Sequence, residues 1–126
     1  MSYGKEYTFL LKKLIKKSIF TEKQLKTLLD YLSKRENEEE ISKGDTVTTI
    51  YGDLYKKGVY FRILKQSINN VKKTIFSLVI LTYLDIISHE DITKLMTLIN
   101  DMSQEEIYEF LQKMEDLIEK QIRRKI

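Results

Sequence analysis

The chain has 126 residues, 42% hydrophobic and 33% charged, with a formal net charge of +3, four glycines, no proline and no cysteine. That length suits one domain able to bury about two thirds of its unfolded surface, and the hydrophobic content excludes a generic disordered chain. Without cysteine there are no disulfides and no thiolate-metal sites. With His89 as the one histidine, in a first helical turn where acids are ordinary, neither a catalytic triad nor a zinc site is expected.

The beginning, "MSYGKEYTFLLKKLIKK", has Lys and Glu where a secretory signal needs an apolar core. Residues 5–19 then place Tyr7, Leu10, Leu11, Leu14 and Ile15 at helical spacing, with lysines between them. Lys12, Lys13, Lys16 and Lys17 give that helix a basic face. Thr21 reads as an N-cap, with Gln24 completing the box, and the helix that follows is expected to bury Leu25, Leu28, Leu29 and Leu32 before fading at Arg35. The acidic run 36–40 reads as a solvated connection. Residues 41–57 are ambiguous: "TVTTIY" is β-branched enough for a short strand, whereas Asp45 could cap a short helix running to Leu54. The helix is favoured, because nothing else in the chain offers itself as a partner strand.

A long helix is predicted over residues 58–87. Leu64, Ile68, Val71 and Ile75 share a narrow sector of it, with Phe61 beside them, while Arg62, Lys65, Gln66, Asn69, Asn70, Lys72 and Lys73 lie opposite. After Ile75 the polar side vanishes, and residues 76–84 are apolar around the whole axis, which is the pattern of a buried helix. This back half is therefore expected to be the central core helix. Its longest apolar run, residues 75–84, includes Ser77 and Thr82 and stops at Asp85, far short of the ~20 residues a membrane span needs. An intracellular, cytoplasmic protein without a membrane partner is expected. Ser88 with Asp91 and Ser103 with Glu106 mark two more helix starts. The last helix carries the stripe Ile107, Phe110, Leu111, Met114, Leu117, Ile118 and Ile122. "QIRRKI" then places cations at its C-terminus, where the helix dipole favours them. The whole is an all-α chain of five to six helices in one domain, 1–126. Its parts are N-terminal helices (1–35), a core (41–87) and C-terminal helices (88–126). The richness in Ile and Lys, without Cys, Trp or Pro, is a compositional hint of a thermophile.

Between Asp53 and Asp85 there is no acidic residue, while Lys56, Lys57, Arg62, Lys65, Lys72 and Lys73 lie there. An ordinary solvated helix face mixes the signs, because Glu–Lys pairs support it. Arg and Lys neutralise phosphates or bind guanine edges, and Gln and Asn pair with adenine. Double-stranded DNA is the partner this pattern favours; the alternatives are a charge run that merely faces water, an acidic protein partner, and RNA. Lys56, Lys57, Lys72 and Lys73 are assigned to phosphates, and Arg62, Lys65, Gln66 and Asn69 to bases, with Asn70 on the same polar side. Tyr60, near the basic cluster with Tyr51 and Tyr55, is a candidate for the sugar-phosphate backbone; the alternative for each ring is a core position with its hydroxyl at the surface. No Walker loop, dinucleotide fingerprint or nucleophile elbow occurs. No enzyme, cofactor or small-molecule substrate is expected.

The stretch "DLYKKGVYFRILKQSI" resembles the middle of a helix-turn-helix unit: Gly58 is followed by Val59, with Leu64 and Ile68 six and ten places after the glycine. The resemblance covers about twenty residues. It implies a turn at Gly58, a recognition helix over 59–73 lying in a major groove, and no wing hairpin after it. It implies a small transcriptional regulator. The stripe of the last helix, the C-terminal one, is broad enough to complete the core of this domain, which is favoured; packed instead against its copy, it would make a homodimer that suits two-fold sites. The rival reading is an all-helical protein–protein interaction module, or a small subunit of a larger assembly, whose basic face meets an acidic surface.

Overall fold

The computed structural model describes residues 9–125, with five helices and a two-stranded sheet among them. Helix α1 spans Phe9–Lys17. The part of the expected first helix on residues 5–8, Tyr7 included, lies outside the described residues. Helix α2, Glu22–Glu36, starts as its sequence dictates: Gln24 N donates to Thr21 Oγ1 (3.2 Å) and Thr21 N donates back to Gln24 Oε1 (3.0 Å). These two bonds satisfy backbone donors that a helix start otherwise leaves orphaned. At the other end Glu38 is left-handed (φ 54), with Glu39 N bonded to Lys34 O (2.8 Å) and Glu38 N to Arg35 O (3.3 Å). That is a Schellman ending with a glutamate where glycine is usual.

The helix expected within 41–57 is not formed. Strand β1 (Thr46–Thr48) pairs antiparallel with β2 (Leu54–Lys56), in the register Thr46↔Lys56, Val47↔Tyr55 and Thr48↔Leu54. The partner strand was hidden in "LYK", whose three residues are too few to show a period. Its position is set by turn chemistry instead. Thr49 Oγ1 accepts from Tyr51 N (3.3 Å) and Asp53 N (3.1 Å), while Thr49 N reaches Asp53 O (2.8 Å). Gly52, at φ 88, supplies the left-handed residue such a short hairpin loop requires. Before β1, Gly44 (φ 61) takes the first central position of a tight turn closed by Lys43 N to Thr46 O (2.9 Å). The turn expected at Gly58 is absent too. Gly58 is the second residue of helix α3, Lys57–Tyr83, and β2 leads directly into that helix.

The described residues divide into two compact units, Met1–Ile75 and Phe76–Ile126. In the first, Val47, Tyr60 and Leu64 form the buried apolar cluster, with Leu28, Tyr31, Ile41 and Tyr55 packed against it. Helix α2 does not bury its leucines outright: Leu25, Leu28, Leu29 and Leu32 are half-buried, and the enclosed positions are Thr27, Asp30, Ser33 and Lys34. The reason is a polar cluster. Asp30 Oδ1 accepts from Ile50 N (2.7 Å), and Asp30 Oδ2 accepts from Tyr60 Oη (2.6 Å). The Lys34 ammonium lies 3.1 Å from Asp30 Oδ2 and donates to Thr48 O (2.7 Å) and Ile41 O (3.3 Å). All three lysine donors are therefore used. One carboxylate and one ammonium tie the hairpin and α3 to α2.

In the second unit α4 spans His89–Asp101 and α5 spans Gln104–Lys125. Both start at the expected serines: Asp91 N donates to Ser88 Oγ (3.0 Å), and Glu106 N donates to Ser103 Oγ (3.3 Å). The back half of α3 is not a core helix. Phe76 is 67% exposed, Val79 59%, Ile80 56% and Tyr83 84%. The helix ends before residue 87: Asp85 turns left-handed (φ 57), with Ile86 N on Leu81 O at 2.9 Å. The physical reason for the exposure is one of supply. A segment apolar around its whole axis needs cover on every side, and α4 and α5 each offer a single stripe. None of the described residues of this unit is buried.

Candidate nucleic-acid interface

Helix α3 can present a basic side because its other side is committed. Tyr60, Ile63, Leu64 and Ser67 are its buried residues. Farther along, Asn70 Nδ2 donates to Gln24 Oε1 (2.9 Å) and meets Ile19 O (3.4 Å). Tyr60 bonds to residue 30 and Asn70 to residue 24, so α3 runs antiparallel to α2. Gln24 Oε1 accepts from both Thr21 N and Asn70, which joins α3 to the cap of α2.

With that side fixed, Arg62, Lys65, Gln66, Asn69, Lys72 and Lys73 are all exposed. At 3.6 residues per turn they occupy a sector of roughly 120°. Six of the ten expected site residues thus share one continuous face. Lys57, also exposed, falls outside the sector at the start of the helix, and Lys56 stands on the outer face of the hairpin with Thr46, Thr48 and Leu54.

Two expected site residues do not join that face. Tyr60 is fully buried, and its ring meets Phe61 edge-on at 5.3 Å between centroids. Burial, then the hydrogen bond to Asp30 and that group's negative charge, push its phenol far above the usual tyrosine range. It cannot touch a sugar-phosphate backbone. Asn70 is half-buried, and its amide is turned to α2. Of the other two rings, Tyr55 packs on the core, and half-buried Tyr51 lies under the Lys26 ammonium, 5.6 Å from the ring centroid. Burial raises the pKa of both phenols, with Lys26 opposing.

Sequence reading missed Asp30 and Lys34. The available signal was their opposite charge at i, i+4 inside an apolar helix, which reads equally well as a solvated pair. The cluster has no chemistry to offer a substrate: Asp30 is fully buried, and both its oxygens are occupied. Among the described residues no group of three or more His, Cys, Asp or Glu is placed to hold a metal ion. No helix among them is long and apolar enough to cross a membrane.

The two units differ in charge. The first holds sixteen basic and nine acidic residues, the second six and ten. The basic face of α3 belongs to the positive unit. No protein-family model matches the chain, and no curated protein or solved structure proves similar to it.

Proposed function

We propose that this protein binds double-stranded DNA with at least partial sequence preference, as a small cytoplasmic, non-enzymatic transcriptional regulator. The observation that carries the reading is the exposed, acid-free face of α3 on a unit with seven more basic than acidic residues. Arg62, Lys65, Gln66 and Asn69 point at base edges from a helix seated in a major groove. Lys72 and Lys73 farther along α3, and Lys56 and Lys57 at the hairpin junction, neutralise phosphates. The reading does not need a turn at Gly58. It needs a firmly held helix with one side exposed, and the bonds from Tyr60 and Asn70 to α2 support that. Two-fold operator sites would suit a homodimer.

The test is fluorescence anisotropy of a labelled random-sequence duplex, titrated at several salt concentrations. Affinity that falls steeply with log salt, by several units of slope, supports phosphate neutralisation. No binding at low salt removes the reading. Stronger binding to single-stranded RNA would redirect it to that ligand.

A second reading, an interaction module within a larger assembly, is favoured by one observation: the second unit leaves large apolar side chains of α3, α4 and α5 exposed. A tight complex with an acidic protein surface, beside weak and sequence-blind DNA affinity, is its signature.

A further inference from the structure

Residues 74–84 contain no charged side chain. Along them and just beyond, Phe76, Leu78, Val79, Ile80, Tyr83, Leu84 and Ile86 are all exposed, from 38% to 84%. On α4 and α5 of the same unit, Met96, Leu98, Leu117, Ile118 and Ile122 are exposed as well. A monomer rarely leaves an apolar patch of that extent in water. The unit has helices, caps and amphipathic stripes, yet none of its described residues is buried. It is built like one half of a core.

We propose that the second unit is completed by a second copy of this chain, with the back half of α3 at the centre of the interface. Two observations select that occupant. The first is charge. An uncharged face offers nothing for a charged partner to pair with, and an identical uncharged face meets it without repulsion. Interfaces of permanent homodimers have this character, a domain core cut in two. The second is area. Phe76, Val79, Ile80, Tyr83 and Leu84 fall on one side of the segment, and at roughly 200 Å² for a whole large apolar residue they present roughly 650 Å². That is most of the share each partner contributes to a stable interface of standard size, about 800 Å². A symmetric dimer is also the commonest closed assembly. The inference stands without DNA binding, since it uses none of the residues assigned to DNA.

The experiment is sedimentation of the full chain. A species of twice the 15.1 kDa chain mass at micromolar concentration is expected; a chain that stays at 15.1 kDa at tens of micromolar overturns the proposal, whether it then adsorbs to neutral lipid vesicles or remains alone. Ile80→Glu should shift the dimer to monomer with helical circular dichroism retained, and an unchanged dimer overturns the choice of face. Should that variant fail to fold, Phe76→Trp keeps the question open to measurement, because the chain has no tryptophan of its own. A blue-shifted emission that moves red on dilution to monomer supports the interface. Emission of a water-exposed indole in the dimer overturns it.

Discussion

The hydroxyl of Tyr60 donates to Asp30 across thirty residues of sequence, at 2.6 Å, inside a fully buried cluster. Asp30 also holds Ile50 N and the Lys34 ammonium, so one carboxylate collects a loop, a helix and a cation. Removing one partner of such a pair leaves an uncompensated buried charge, which costs several times more than the pair itself contributes.

Asp30→Ala is therefore expected to destabilise the fold by about 3–5 kcal/mol. Replacing both partners, as Asp30→Leu with Lys34→Met, should cost clearly less than the single change. Urea unfolding followed by circular dichroism gives both values. Equal losses in the single and the double variant would show that the hydrogen bonds to Ile50 and Tyr60, and not the charge, dominate.

Stability should also fall in alkali. Tyr60 has a raised folded pKa, so above the ordinary tyrosine value of about 10 the unfolded chain releases this proton and the native state keeps it. The contribution is complete below that pH and shrinks as pH rises beyond it, by up to about 1.4 kcal/mol per pH unit for one group. Tyr60→Phe should be less stable at neutral pH by about 1–2 kcal/mol and should show a flatter alkaline limb. An alkaline limb of unchanged slope in the variant would assign the loss to other groups.

The turn positions give a pair of opposite effects. Glu38 occupies a left-handed position that costs an L-residue about 1 kcal/mol, so Glu38→Gly should raise the midpoint of thermal unfolding. Gly52→Ala should lower it by a similar energy. A Cβ at Gly52 would meet nothing within 4 Å, so the penalty is purely conformational.

Two adjacent asparagines separate the binding face from the scaffold. Asn69→Ala should weaken DNA binding without changing stability. Asn70→Ala should cost about 1 kcal/mol of stability, through lost bonds to Gln24 and Ile19, and leave binding to the folded protein intact. Paired anisotropy and unfolding curves decide it, and reversed effects would mean that the binding face is rotated by a quarter turn.

On that face, Arg62→Ala should lower affinity by about 1–3 kcal/mol and relax the preferred sequence, whereas Lys73→Ala should weaken all duplexes alike and reduce the salt slope by about one. A titration series on specific and scrambled duplexes separates the two.

Much of this fold can be read from the chain because its signals are local. Thr21, Ser88 and Ser103 announce helix starts through side chains that bond three residues ahead. The absence of acids between Asp53 and Asp85 is visible without coordinates, and the helical period alone puts the polar residues 62–73 on the exposed side of α3. What escaped reading depends on distant partners. Residues 54–56 become a strand only because Thr49 and Gly52 fold the chain back. Tyr60 looks like a surface ring until Asp30, on another helix, claims its hydroxyl. The segment after Ile75 has the composition of a core, and its exposure follows from what the rest of its unit cannot cover.

The Asp30 cluster has a consequence for biosynthesis. Its last member is Tyr60, and the apolar cluster closes with Leu64, so the groups of this cluster leave the ribosome ahead of the exposed apolar residues from Phe76 onward. Domains synthesised first tend to fold first, at chain growth of about 5–20 residues per second. The nascent chain can lock its hairpin and the front of α3 against α2 before it must handle its most aggregation-prone residues.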